Sequence, residues 1–218
     1  MRQYIIKATL CASICSSILL LSACGSLFPS SNTHKPGAVI EAGSTSAAKF
    51  DVNAFVQKAE TLPRFEYTHN NTQYVAYLNG QPELIKVTHD GENKLFFYKA
   101  GKVSAVQENG KVYSVNDANE SHKALVAEGA KLYKMLGTNS ADKGAANIKT
   151  GNDAKLNYLC IAKIQQVAQT SRVFRSSANH AKSDVRLTAD VRLNGNQFYK
   201  MDCQLAGERV AKLSLIKK

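Results

Sequence analysis

The 218-residue sequence lacks the short motifs that mark a catalytic centre. It holds no Gly-x-Ser-x-Gly elbow, no glycine-rich phosphate loop ending in Lys-Ser or Lys-Thr, and no His-Glu-x-x-His. Its histidines, His34, His69, His89, His122 and His180, are scattered without the paired spacing of metal ligands. No metal and no cofactor is expected, and a non-enzymatic role is favoured. His69 and His89 fall at the ends of predicted strands, where a solvated histidine is the ordinary expectation. Long apolar runs are scarce as well. Beyond Leu21 none approaches the roughly 20 residues that a spanning helix needs. Acid is in short supply: 17 Asp and Glu against 28 Lys and Arg leave a net charge of +11.

The first residues follow the order of a secretory leader. Arg2 and Lys7 precede an uncharged apolar stretch from Ala8 to Leu21, which is short for a membrane helix. Small Ser22 and Ala23 then stand before Cys24. Leu21-Ser22-Ala23-Cys24 resembles the lipobox of bacterial lipoproteins, which the lipoprotein signal peptidase reads. The resemblance covers the leader alone, and the rest of the chain carries no motif specific enough to assign a family. It implies removal of residues 1–23, a diacylglycerol on the Cys24 thiol, a further acyl chain on its new amino group, and the lipid bilayer as first partner. One buried acyl chain holds a protein marginally, whereas two or more hold it stably. Gly25 stands where an aspartate would signal inner-membrane retention in enteric bacteria, which implies the outer membrane.

Two of the five cysteines, Cys11 and Cys15, lie in the leader, and Cys24 is the lipidation residue. Cys160 and Cys203 remain, and in an oxidising compartment two cysteines most often pair. The bond would close a loop of about 43 residues, worth on the order of 4 kcal/mol in the chain-entropy model. A catalytic thiol is the alternative, with no evident histidine partner.

Charge is distributed unevenly. Loss of the leader lowers the net charge to about +9, and residues 50–137 balance ten bases against ten acids. From Ala154 to Lys218 twelve bases face four acids, so the C-terminal part alone is +8. Such asymmetry points to an anionic partner for that end. Arg172, Arg175, His180, Lys182, Arg186 and Arg192 fall within about twenty residues. Guanidinium forks match carboxylates and phosphates. Arg172, Arg175, Lys182, Arg186 and Arg192 are therefore candidate anion ligands for lipid phosphates, lipopolysaccharide or wall polymers. The plainer alternative is a solvated basic surface. Asp184, Asp190 and Asp202 are expected to pair with Arg186, Arg192 or Lys200. Nucleic acid is not an expected partner outside the cytoplasm.

Residues 24–49 are rich in Ser, Gly, Ala, Thr and Pro and form an expected flexible tether. Asp51 is a predicted N-cap for a helix that Pro63 ends. The period then switches to two over Phe65–His69, Tyr74–Leu78, Leu84–Thr88, Leu95–Lys99, Val103–Gln107 and Val112–Val115. Turn signals such as Asp90-Gly91 and Asn109-Gly110 separate these runs and predict an antiparallel six-strand meander. Helices follow over Asn119–Leu136 and Ala154–Thr170, then strands over Val185–Leu193, Gln197–Leu205 and Arg209–Ile216. The fold expected is α+β. A meander domain flanked by helices (50–137) is joined by a linker (138–153) to a basic domain of one helix and three antiparallel strands (154–218). A long loop within one domain is the alternative to the linker. The meander is able to wrap an apolar pocket or offer an edge to a partner strand. The function expected is a membrane-anchored envelope lipoprotein that binds an anionic envelope polymer or an envelope protein. The alternative is a cell-wall-directed hydrolase or an enzyme inhibitor, which convergence of His69, His89 and acids in one pocket would favour.

Overall fold

A computed structural model describes residues 50–115, 120–138, 152–175 and 180–218. The expected leader, Cys24, the tether and most of the expected linker lie outside the described residues. Asp51 accepts a hydrogen bond from the Ala54 N–H (3.0 Å) and opens α1 (Val52–Glu60). The chain then runs through β1 (Arg64–His69), β2 (Thr72–Asn79), β3 (Gln81–His89), β4 (Glu92–Lys99), β5 (Lys102–Glu108) and β6 (Lys111–Ser114). Each of these strands pairs antiparallel with the next. Both residues of the Asp90-Gly91 turn (φ 48° and 86°) and of the Asn109-Gly110 turn (50° and 75°) take positive φ. That geometry matches the right-handed twist of the flanking strands.

Two helices follow among the described residues, α2 (Glu120–Leu136) and α3 (Asn152–Val167), then β7 (Phe174–Arg175), β8 (His180–Ser183), β9 (Arg186–Leu193), β10 (Gln197–Ala206) and β11 (Arg209–Lys217). The eleven described strands lie in one sheet, in the order β6-β5-β4-β3-β2-β1-β11-β10-β9-β7, with β8 also paired to β9. The mixed α+β class holds, but the division into two domains needs correction. β11 returns to the middle of the sheet and pairs in parallel with β1, from Glu66 opposite Lys212 to His69 opposite Leu215. A single core cluster consequently runs from Phe65 and Phe96 through Leu159 and Ile164 to Leu213. The short strands β7 and β8 occupy the basic segment, where no strand was expected.

Strand alternation gives the sheet two different faces. On the helix face, α2 and α3 cover the large core. On the other, open face, α1 covers a smaller cluster of Tyr77, Leu84, Phe97 and Ala105. No described helix packs on the open side of β9, β10 and β11. Cys160 of α3 and Cys203 of β10 are joined in a disulfide, both fully buried, which fixes α3 to the sheet across 43 residues of chain.

Helix α2 sits tightly on the meander. A Cβ at Gly129 would stand 2.8 Å from both Phe96 Cδ1 and Val103 Cγ2, and the Tyr98 hydroxyl donates to the Gly129 carbonyl (2.8 Å). Gly129→Val is expected to destabilise the fold by about 2 kcal/mol or more through overpacking. The exposed control Ala127→Val should lose only about 0.5 kcal/mol, the difference in helix propensity. Urea denaturation of the two variants checks this, and equal midpoints would count against the close approach.

Candidate functional site

At the end of the sheet where β1 meets β2, the register aligns His69, Thr72, His89 and Glu92 in one row across β1, β2, β3 and β4. The next row holds Tyr67, Tyr74, Val87 and Lys94. Both rows lie on the helix face, because Tyr67 and Val87 belong to the main core. The side chains of His69 and His89 enter two adjoining cavities that share Tyr74 as a common wall.

The cavity around His89 encloses about 280 Å³ and also takes in Glu92, Lys94 and Glu128. Lys94 pairs with Glu108 (2.9 Å) and Glu128 (3.6 Å), and the Glu108 hydrogen bond is the main reason its pKa is raised. His89 Nδ1 shares a 2.9 Å hydrogen bond with the Thr72 hydroxyl, while Nε2 stands 3.2 Å from Asp90. This hydroxyl–imidazole–carboxylate chain has the connectivity of a nucleophile and its base. His89 and Asp90 side chains are, however, 60% and 69% exposed, so water competes for each bond and the desolvation that activates a nucleophile is missing. Among the described residues no group of three His, Cys, Asp or Glu stands close enough to hold a metal ion.

The cavity around His69 encloses about 290 Å³ between β1, β2, the β9–β10 turn and the C-terminal end of α3. Phe65, Tyr67 and His69 stand in file along β1 with nearly parallel rings, 6.4 and 6.2 Å between centroids. Tyr74 stacks on Tyr67 at 5.5 Å, and Tyr199 leans on His69 at 5.6 Å. The Thr170 hydroxyl donates to Asn194 Oδ1 (2.7 Å), latching the end of α3 to the β9–β10 turn. Tyr67 is only 4% exposed, and its hydroxyl has no hydrogen-bond partner among the described residues. Burial pushes its pKa far up, so it stays a neutral phenol. A wider hollow of about 800 Å³ at the opposite end of the sheet differs in this respect. There Asn79 donates to Glu83 (2.8 Å), Gln81 to Thr138 (3.1 Å) and Tyr98 to Gly129 (2.8 Å), so its polar groups are largely engaged.

The basic residues singled out in the sequence do not form one patch. Arg175 pairs across strands with the core residue Val191, which puts it on the helix face, where it donates to Asn157 of α3. Arg186 and Arg192 alternate with Leu187 and Val191 and so point to the open face. Arg186 Nε donates to Asp202 (3.0 Å), and the Arg192 guanidinium lies 4.8 Å from the Phe174 ring centroid. Arg172 and Lys182 are exposed. Asp190 pairs with Lys218 instead of the arginine or lysine expected for it. Sequence reasoning passed over the cavity made by Tyr67, His69 and Tyr199; the same-side spacing of Tyr67 and His69 was its only local signal.

Burial lowers the pKa of His69 below 6.5. An imidazole that resists protonation in the folded state binds fewer protons than it does unfolded, so stability falls as pH drops below about 6.5. His69→Gln is expected to flatten that part of the pH–stability curve between about pH 7 and 5. Proton NMR of the wild-type ring should show titration below the ordinary histidine value, and a normal or raised midpoint would refute the assignment.

The chain matches no protein-family model and no solved structure. It is 46% identical, over an alignment of 235 residues covering the whole of both chains, to an uncharacterised protein of Pasteurella multocida (strain Pm70). The chain and that Pasteurella protein therefore belong to one family.

Proposed function

We propose that this protein is a lipid-anchored, non-enzymatic binding protein of the outer membrane, cut before Cys24 and acylated there, that rests its open sheet face on anionic lipid headgroups. The anchor follows from the order of positive residues, apolar run and Leu21-Ser22-Ala23-Cys24 in the leader. The observation that carries the binding role is a row across the uncovered half of the sheet. Phe174, Arg192 and Phe198 are direct cross-strand neighbours on β7, β9 and β10. Phe174 and Phe198 are 52% and 48% exposed, and Ile216 beside them is 43% exposed. Lys200 pairs with Ile216 in the adjoining row and is itself exposed.

Aromatic and aliphatic side chains at headgroup depth with cations around them are the chemistry of an interfacial contact. Each Lys or Arg near an anionic surface contributes about 1 kcal/mol, screened within a Debye length. The basic balance from Ala154 to Lys218 has the right sign. The open face is also the one that α2 and α3 leave free. An acyl anchor would supply the membrane affinity, and this face would then set which side of the body meets the lipid.

Two experiments test the two parts. Cys24→Ser is expected to leave uncut, unacylated precursor; mature protein fractionating with the membrane in that variant would overturn the anchor. The chain from residue 25 onward, lacking acyl groups, is expected to bind vesicles of phosphatidylcholine with phosphatidylglycerol, to release as salt rises, and to ignore phosphatidylcholine alone. Lys200→Gln should weaken that binding roughly fivefold, the equivalent of about 1 kcal/mol. Binding that ignores salt or lipid charge would overturn the lipid-facing role.

A further inference from the structure

We propose that the His69 cavity on the helix face is a subsite for one ring of a neutral carbohydrate. It lies across the sheet from the lipid-facing row and stands independently of it. The chain carries net charge +11, yet no Asp, Glu, Lys or Arg lines this cavity. An anionic ligand entering it would leave water for a site without a cation, at high desolvation cost. A polyol has no such cost, because each hydroxyl donates and accepts one hydrogen bond or more.

The walls supply matching chemistry. Tyr74 and His69 are half-buried rings that present surface to the cavity, and apolar C–H groups of a sugar ring pack on such faces. Tyr67 lines the cavity, and its hydroxyl makes no hydrogen bond to another described residue. A hydroxyl so placed can donate to or accept from a ligand without giving up a hydrogen bond inside the protein. At the rim, the Oδ1 of Asn194 is taken by Thr170 and the Oε1 of Gln197 receives the Tyr199 hydroxyl at 3.4 Å. Their amide groups remain as donors. His69, held neutral by its burial, adds one donor and one acceptor. The volume, about 290 Å³, is at the small end of ligand sites and suits a single ring instead of a lipid chain or a long polymer segment. The disulfide and the Thr170–Asn194 latch fix the walls before any ligand arrives.

Chitotriose and maltotriose serve as neutral probes and trigalacturonate as an anionic one, each titrated into the chain from residue 25 onward. The protein has nine tyrosines and no tryptophan, so tyrosine fluorescence reports the site directly, with calorimetry beside it. At least one neutral trimer is expected to bind saturably and without dependence on salt. Tyr67→Phe, which keeps the ring and removes only the hydroxyl, should weaken that binding up to about tenfold. Gln197→Ala, at the exposed rim, should weaken it severalfold. Absence of binding by both neutral trimers would overturn the proposal. So would unchanged affinity in both variants, or equal binding of trigalacturonate. Salt independence separates this site from the open face, where binding must fall as salt rises.

Discussion

The fold depends on the parallel contact between β1 and β11. Parallel strands cannot be joined by a tight turn, and here the crossover between them is nearly the whole of the chain from β2 to β10. The contact is reinforced where it ends: the Asn70 N–H donates to the Leu215 carbonyl (3.1 Å), and the Lys217 N–H donates to Asn70 Oδ1 (2.9 Å). Lys212 reaches Glu66 across the same two strands at 3.4 Å. Without this seam the meander and the C-terminal hairpins would each have an unpaired strand at the middle of the molecule. With it, the helix face becomes one surface broad enough for α2 and α3 to lie on together.

The two helices are clasped to each other as well as to the sheet. The last carbonyls of a helix need partners from outside it. The Gly137 carbonyl, just beyond α2, accepts from Lys163 Nζ (2.9 Å) and Gln166 Nε2 (3.0 Å), both carried by α3. Lys163 is only 4% exposed, and its ammonium lies 4.2 Å over the Phe65 ring. A cation at a helix C-terminus meets the negative end of the dipole, and the ring face adds to its attraction. Phe65 heads the file of rings on β1, so this clasp and the His69 cavity share one row of side chains. Met135 near the end of α2 and Val167 at the end of α3 complete that cavity, and the disulfide on α3 holds its end in place.

Features that depend on near neighbours were readable in the sequence. Asp51 caps α1 because a short acceptor suits that position, and Asp90-Gly91 turns where two successive positive φ angles are needed. Alternation places Leu187, Ala189, Val191 and Leu193 in the core. The β1–β11 contact was not readable, since nothing local in Phe65–His69 or Arg209–Ile216 says which strand will be the neighbour. The two-domain expectation failed for that reason. The cavity was hidden by the same ignorance, because Tyr199 and Asn194 come near His69 only once β11 has brought β10 across. The five basic residues looked like a cluster because they are close in sequence. Pairing of β7 with β9 then sent Arg175 to one face and Arg192 to the other.

The sheet of eleven strands is open, and an open sheet has two edges with unpaired N–H and C=O groups that invite another chain. At one end the last strand is β6, four residues long from Lys111 to Ser114. At the other, the border is divided between β7, two residues, and β8, four residues. Inner strands run to ten residues, so the longest ladders are all spent inside the molecule. Among the described residues, what remains at the border is short and broken, a poor template for a further strand. A second copy of the chain that met it edge to edge would find little ladder there to extend.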